Sequence, residues 1–106
     1  MPGEFYELLR RAIVERRQVV AVYDGLRREL CPHRLGTKNG RLQCLFYQFG
    51  GESKSGAIVD GDEGNWRCLP LDGLSDVQIR NGDWHSAANY VKPGSCLDTV
   101  DVEVAA

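Results

Sequence analysis

The side chains best suited to chemistry in this chain are cationic and aromatic, and they lie in or beside segments that favour strands. They are Arg27, Arg28, His33, Arg34, Lys38 and Arg67, interleaved with Tyr23, Tyr47 and Trp66. Guanidinium groups match phosphate through two parallel N–H bonds, and aromatic faces stack on unpaired bases. The combination predicts binding of an anionic ligand or a single-stranded nucleic acid. In the alternative interpretation, the tyrosines belong to the core and the arginines pair with acids such as Glu29.

The formal net charge of −2 conceals two halves of opposite sign. Residues 1–50 contain nine Arg and Lys residues against five acids, whereas residues 51–106 contain four against ten. Such an asymmetry is typical of an anion-binding or nucleic-acid-binding face. Four of the nine basic residues fall in one short helical segment, however, so a solvated helix surface is an equally good explanation of them.

The four cysteines form no metal-binding pattern. Cys31, Cys44, Cys68 and Cys96 are well separated, whereas structural zinc sites usually contain a close ligand pair. A disulfide framework is not expected, because the sequence shows no secretory signal and has enough apolar residues for a core. We therefore expect buried free thiols, best placed at Cys44 and Cys68, with no metal and no other cofactor.

Signatures of catalysis are sparse. The serines lack the context of an activated nucleophile, and residues 60–64 lack the spacing of a calcium-binding loop. Asp83, His85 and Glu103 could act as acid and base only if the fold brought them together. The sequence therefore predicts a protein that is not an enzyme.

Apolar periodicity predicts one helix followed by short strands. The helical stripe consists of Phe5, Leu8, Leu9, Ala12 and Ile13. Its period is that of an amphipathic helix, which should end by about Arg17. Strands are predicted at 18–23, 27–32, 41–49, 65–71 and 76–80, with turns at Asp24-Gly25, Asn39-Gly40 and Asp72-Gly73-Leu74. The Asp-Gly and Asn-Gly pairs favour two-residue hairpins.

These elements predict a mainly β fold. Hairpins this short leave no room for crossovers, which favours a five-stranded antiparallel barrel of SH3-like or Sm-like type with the N-terminal helix over one open end. Helix and barrel should occupy residues 1–82, and residues 83–106 form a short C-terminal extension. In that extension Val100, Val102 and Val104 alternate with acids, as in a half-buried edge strand.

Four segments resemble the WYL domain family of bacterial regulators, in the same order and spacing over roughly residues 5–80. Leu8-Leu9-Arg10-Arg11-Ala12-Ile13 and Val20-Ala21-Val22-Tyr23 are similar to its helix and first strand. Residues 28–35 resemble its Arg-x-hydrophobic-x-Pro-x-x-Leu segment, and residues 67–74 its Arg-x-aromatic-Arg-Leu-Asp-Arg-Ile segment. At the name-giving Trp-Tyr-Leu the chain has Gln43-Cys44-Leu45, and Pro70 and Gly73 replace two arginines.

The resemblance implies a ligand-sensing module involved in transcription regulation. Family members bind nucleic acid, often single-stranded, or small anionic ligands on the barrel surface and signal to a linked effector. Here the effector would be a separate protein or a second copy. Arg28 and Arg67 stand at the family's recurring arginine positions and lead the candidate site, which also takes in Arg34, His33 and Tyr47 by proximity.

A second function class competes with ligand sensing. The edge strand near residues 98–104 could add to the sheet of another chain, which would make the domain a protein-interaction or homodimerisation module. A phosphate-binding face predicts affinity that falls steeply with salt, whereas the dimer predicts association at micromolar concentrations. For either function we expect a cytoplasmic protein without membrane contact, because no apolar run approaches the roughly 18–20 residues that span a bilayer.

Overall fold

The computed structural model describes residues 2–54, 56, 58–91 and 96–104. Its elements follow in chain order: helix α1 (Pro2–Glu15), strands β1 (Gln18–Tyr23), β2 (Leu26–Lys38), β3 (Arg41–Gly51) and β4 (Trp66–Pro70), a 3-10 turn (Leu71–Gly73), strand β5 (Leu74–Arg80), a second 3-10 turn (Ala88–Val91) and strand β6 (Thr99–Glu103).

Helix α1 packs its predicted stripe onto the sheet. Leu9, Ala12 and Ile13 are buried, and Phe5 and Leu8 pack against them from its edge. The helix ends because Arg16 takes a left-handed backbone conformation, with φ of 52°, and the amide of Arg17 donates to the carbonyl of Ala12. Among the described residues, no helix is long and apolar enough to cross a membrane.

The strands form one antiparallel sheet, which confirms the mainly β prediction. Its ladders run in the order β4-β3-β2-β1-β5, and β6 pairs with β2. The described residues therefore contribute six strands rather than five, because the C-terminal extension supplies the last one. The predicted hairpins are confirmed: Asp24, Gly25, Asn39 and Gly40 all have positive φ, as two-residue turns of type I′ require.

Strand β2 is longer than predicted and holds the sheet together. We expected it to end at Pro32, which has no amide proton for a ladder. Instead the register against β3 shifts between Pro32 and Arg34, so a bulge absorbs the proline and the strand continues to Lys38. β3 follows one edge of β2 throughout. The other edge pairs first with β1 and then, from Arg34 to Thr37, with β6.

Strand β5 also begins earlier than predicted. It starts at Leu74 rather than Asp76, because a bulge accommodates the extra length. The register against β1 shifts between Val20 and Val22, and Asp76, with φ of 49°, lies opposite that shift.

The cysteines differ from the sequence interpretation. Cys31 and Cys44 are buried free thiols, but Cys68 forms a disulfide with Cys96. Cys68 lies directly opposite Leu45 in the ladder of β3 and β4 and is exposed. Its side chain therefore points away from the core, on the surface of the sheet that we call the outer surface. The expectation of a buried thiol at Cys68, and of no disulfide, is therefore wrong.

The C-terminal extension is part of the same hydrophobic core. Tyr90 and Val104 are both 6% exposed and belong to the core cluster, with Trp84 and Val102 packed against them. The amide of Val104 donates to the carbonyl of His33, and the Tyr90 hydroxyl donates to the carbonyl of Val104. Through Trp84 and Tyr90, the segment that follows β5 therefore packs against the sheet.

Candidate functional site

The sheet separates the five candidate residues onto two surfaces. Residues directly opposite in an antiparallel ladder point to the same side. Arg28 lies opposite the core residue Ala21, and Arg67 lies opposite the core residue Phe46, so both belong to the inner surface. Tyr47 belongs to the outer surface, opposite Cys31 on β2 and Trp66 on β4. His33 lies on the same side, because its ring packs against Trp66. Arg34 lies opposite Leu45, which shares this surface with Cys68.

Arg28 is a buried cation with neutral acceptors. It is 5% exposed, at the end of the sheet where β1 finishes and β2 begins. Its Nη1 donates to Oε1 of Gln48 at 3.2 Å and its Nε to the carbonyl of Tyr23 at 3.4 Å. The guanidinium carbon lies 5.4 Å from the centre of the Tyr23 ring, a cation–π distance. These contacts place the group without neutralising its charge.

Arg67 is half-buried at the same end of the sheet and also donates to neutral acceptors. Its Nη1 reaches the carbonyls of Gly64 at 2.9 Å and Trp66 at 3.1 Å, and its Nη2 reaches the Ser53 hydroxyl at 3.4 Å. Burial lowers the pKa of Arg67, and the charge of Arg28 lowers that pKa further. The positive charge of Arg28 therefore acts on Arg67.

Other arginines of the described chain pair with carboxylates. Arg10, Arg17, Arg34, Arg41 and Arg80 each do so. The charge of Arg28 also acts on Asp24, an exposed carboxylate that contacts Lys54. The hydrogen bond and charge of Lys54, and then the charge of Arg28, lower the pKa of Asp24. Among the described residues, Arg28 and Arg67 thus differ from these five arginines, because their hydrogen bonds go to neutral acceptors.

This pair has the chemistry of an oxyanion site. Two positive charges that act on each other at low solvent exposure repel each other, and a bound anion offsets that repulsion. Each guanidinium also offers a planar pair of N–H groups that fits carboxylate or phosphate. We call Arg28 and Arg67, with Tyr23, Gln48 and Ser53 around them, the inner arginine site.

His33 is part of a closed cluster on the outer surface. It has no exposed surface and lies within 5 Å, centre to centre, of the rings of Trp66, Trp84 and Tyr90. Burial lowers its pKa to about 4, a hydrogen bond to the carbonyl of Cys31 opposes that shift, and the charges of Arg16 and Arg34 add to it. His33 is thus a neutral packing residue near pH 7 and is not at a ligand surface.

Tyr47 and Arg34 are engaged in the same outer region. Tyr47 is fully buried and its hydroxyl donates to the carbonyl of Asp62 at 2.9 Å. Arg34 lies 4.9 Å from the centre of the Tyr90 ring, and its Nε is 3.0 Å from the Glu103 carboxylate in a poorly aligned ion pair. The fold therefore does not bring Arg34, His33 and Tyr47 together with Arg28 and Arg67. The outer cluster consists of His33, Tyr47, Trp66, Trp84 and Tyr90.

One contact in the outer cluster has the form of a nucleophile and its base. Nε2 of His33 is 2.9 Å from Oγ of Ser86, and Nδ1 is 2.8 Å from the carbonyl of Cys31. In catalysis His33 would have to accept the serine proton. Burial and two nearby arginines oppose the charged imidazole, so this pair is better understood as a packing contact.

The acid–base group considered from the sequence does not form. Nδ1 of His85 is 2.9 Å from the carboxylate of Asp60, with the ring stacked on Phe49, whereas Glu103 pairs with Arg34. In the described part of the chain, no group of three His, Cys, Asp or Glu side chains is placed to hold a metal ion.

Sequence reasoning missed Gln48, which connects Arg28 to its surroundings. A signal was available, because Cys44 and Phe46 alternate onto the inner surface of β3 and Gln48 continues that series. A fully buried glutamine in register with core residues indicates a required hydrogen-bond partner. Here that partner is the guanidinium of Arg28.

No family model, curated protein or solved structure matches this chain.

Proposed function

We propose that this protein is a non-enzymatic ligand-sensing module that binds a small anionic ligand at the inner arginine site. The observation that carries the proposal is one hydrogen-bond network that connects the two arginines: Arg28 donates to Gln48, Gln48 donates to the carbonyl of Glu52, and Arg67 donates to the adjacent Ser53. The hydrogen bonds of both guanidinium groups go to neutral acceptors. The resemblance to WYL domains supports it, since the same two arginines stand at that family's recurring positions. Under this proposal a separate effector protein, or a second copy, receives the signal.

We also infer that the sheet curls into an SH3-like barrel. Bulges bend strands and increase their twist. β2 contains two register shifts against β3 and changes partner from β1 to β6 along its length. The 3-10 turn Leu71–Gly73 joins β4 directly to β5, the two outer strands of the ladder order. Such bending supports a closed or nearly closed barrel over the core.

A compact anion fits this site better than an extended single strand. Single-strand binding needs several exposed rings on which successive bases stack. At the inner arginine site the ring in contact is that of Tyr23, whereas Tyr47 is fully buried in the outer cluster. We therefore favour a ligand with one phosphate or carboxylate group over an oligonucleotide.

Titration of the full chain with inorganic phosphate, followed by amide NMR shifts, tests this function. Arg67→Ala should weaken phosphate binding about tenfold or more, the usual effect of losing a hydrogen-bonded charge. Arg41→Ala is the matched control, because Arg41 is exposed and already pairs with Asp72. Equal phosphate affinity in both variants overturns the proposal.

Two further measurements sharpen the result. Arg28→Lys keeps the charge but loses the planar N–H pair, so it should bind phosphate more weakly while the buried Gln48 keeps a donor nearby. A single-stranded oligonucleotide that binds far more tightly than a mononucleotide, with strong salt dependence, would show that the ligand is nucleic acid.

The homodimerisation alternative stays a prediction. β6 pairs with β2 along one edge, and Val100 on this strand is 44% exposed. A free strand edge is a common site for adding another chain. Sedimentation that reports a monomer at tens of micromolar would contradict this alternative.

A further inference from the structure

The inner arginine site is joined to the segment between β3 and β4. Arg67 contacts both ends of that segment: its Nη2 donates to Ser53 near the beginning, and its Nη1 donates to Gly64 near the end. One guanidinium group therefore bridges two positions eleven residues apart in the chain. We call the described residues between these strands, 52–54, 56 and 58–65, the β3–β4 segment.

Arg28 is connected to the same segment through Gln48. The side-chain oxygen of Gln48 accepts from Arg28, while its Nε2 donates to the carbonyls of Gly50 at 3.0 Å and Glu52 at 2.7 Å. The backbone amide of Gln48 donates to the carbonyl of Asn65, at the other end of the segment. Both arginines thus belong to the hydrogen-bond network at the base of the β3–β4 segment.

An oxyanion competes with these internal acceptors. The bonds of Arg67 to Ser53 and Gly64 have one charged partner, whereas a bond to a phosphate oxygen joins two opposite charges. Coulomb attraction therefore favours the phosphate oxygen over the carbonyl or the hydroxyl. A bidentate anion uses Nη2 together with Nε or Nη1, and Nη2 is the atom that donates to Ser53. On the Nη1 edge the anion also competes with Gly64.

We propose that anion binding at the inner arginine site loosens the β3–β4 segment, by exchanging the contacts of Arg67 to Ser53 and Gly64 for contacts to the anion. This inference rests on the proposed function and says how binding is signalled. When the anion binds, the β3–β4 segment changes, and an effector can recognise that change. Because linkage is reciprocal, weakening the hold on the segment strengthens anion binding by the same factor.

Hydrogen exchange of the full chain, with and without inorganic phosphate, tests the coupling. Saturating phosphate should speed exchange in peptides covering residues 52–65 by about two- to tenfold, the range expected for losing one or two net hydrogen bonds. Arg67→Ala should produce the same acceleration without phosphate. Peptides covering β1 should not change in either case.

Ser53→Ala provides the reciprocal measurement. It removes one internal acceptor and leaves the guanidinium in place, so phosphate affinity should rise about twofold. Ser75→Ala, at an exposed position on β5, is the matched control and should leave the affinity unchanged.

The outcomes separate this inference from the proposed function. Phosphate binding with faster exchange in the β3–β4 segment supports both. Phosphate binding with unchanged or slower exchange overturns the coupling and leaves the function standing. An absence of phosphate binding overturns both, and unchanged exchange in Arg67→Ala overturns the coupling whether or not phosphate binds.

Discussion

The inner arginine site and the outer cluster both contain buried polar side chains on neighbouring strands. They differ in charge: the inner site contains two guanidinium groups, whereas the buried histidine of the outer cluster is neutral near pH 7. At the inner site, the guanidinium groups of Arg28 and Arg67 donate to neutral acceptors. In the outer cluster, His33 has no exposed surface and burial favours its neutral form. Arg34, which contacts the Tyr90 ring of this cluster, is paired with Glu103.

This difference separates structural polar residues from candidates for binding. A buried polar group that is neutral and fully hydrogen-bonded stabilises packing. It has no unsatisfied donor, acceptor or charge with which a ligand could interact. A pair of partly buried cations without an acidic partner is a local electrostatic cost that a ligand can remove. Residue type alone did not distinguish these cases, since arginines occur in both regions.

The largest expected effect concerns the disulfide that fixes the C-terminal segment beside the outer cluster. The Cys68–Cys96 bond spans 28 residues. Closing a loop of this length contributes roughly 3–4 kcal/mol to the free energy of unfolding. The double variant Cys68→Ser with Cys96→Ser should lose about that much in urea unfolding, yet should still bind phosphate.

A reducing agent provides the control for this variant. It should destabilise the wild type by a similar amount and leave the double variant unaffected. Equal free energies of unfolding for the oxidised and reduced wild type would show that the disulfide does not stabilise the fold.

A smaller effect should come from acid, through His33. In the unfolded chain a histidine titrates near pH 6.5, whereas burial lowers the pKa of His33 to about 4. As the pH falls from about 6.5 to about 4, the unfolded state binds a proton that the folded state does not. The free energy of unfolding should therefore fall over this range, by up to about 3 kcal/mol.

Urea unfolding at a series of pH values measures this slope. His33→Gln should flatten it, whereas His85→Gln, on the exposed pair with Asp60, should keep most of it. NMR titration of the two rings checks the assignment, because His33 should remain neutral well below pH 6. A ring of His33 that gains its proton near pH 6.5 contradicts the closed outer cluster.

The smallest expected effect is the stability of Arg67→Ala. Since Arg67 is half-buried and its repulsion with Arg28 disappears in the variant, the free energy of unfolding should change by about 1 kcal/mol or less. Urea unfolding beside the phosphate titration measures this. A loss of several kcal/mol would make Arg67 a structural residue like His33, and the contrast between the two regions would no longer hold.

Much of the fold could be predicted from local patterns. The stripe from Phe5 to Ile13 gave the helix, and the Asp24-Gly25 and Asn39-Gly40 pairs gave the hairpins, because each depends on nearby residues alone. Alternation of Val100, Val102 and Val104 gave β6 as a strand. Its pairing with β2 depends on a contact across most of the chain, which no local pattern contains.

The candidate site was predicted only in part, and bulges are the main reason. Alternation along an unbroken strand assigns each residue to a surface, but the register shift between Pro32 and Arg34 resets that assignment midway along β2. Arg28 lies before the shift, and His33 lies within it. The Cys68–Cys96 pairing was missed for a related reason, since it depends on where the C-terminal segment returns to the sheet.

The shared edge of β2 also has a consequence for how the chain reaches its fold. From Arg34 to Thr37, the backbone groups on this edge are covered by β6, which is synthesised more than sixty residues later. Until that strand arrives, a growing chain presents an open hydrogen-bonding edge beside apolar side chains, the usual starting point for aggregation. Folding of the sheet is therefore tied to late events in translation, and a chain cut before Thr99 should be prone to self-association.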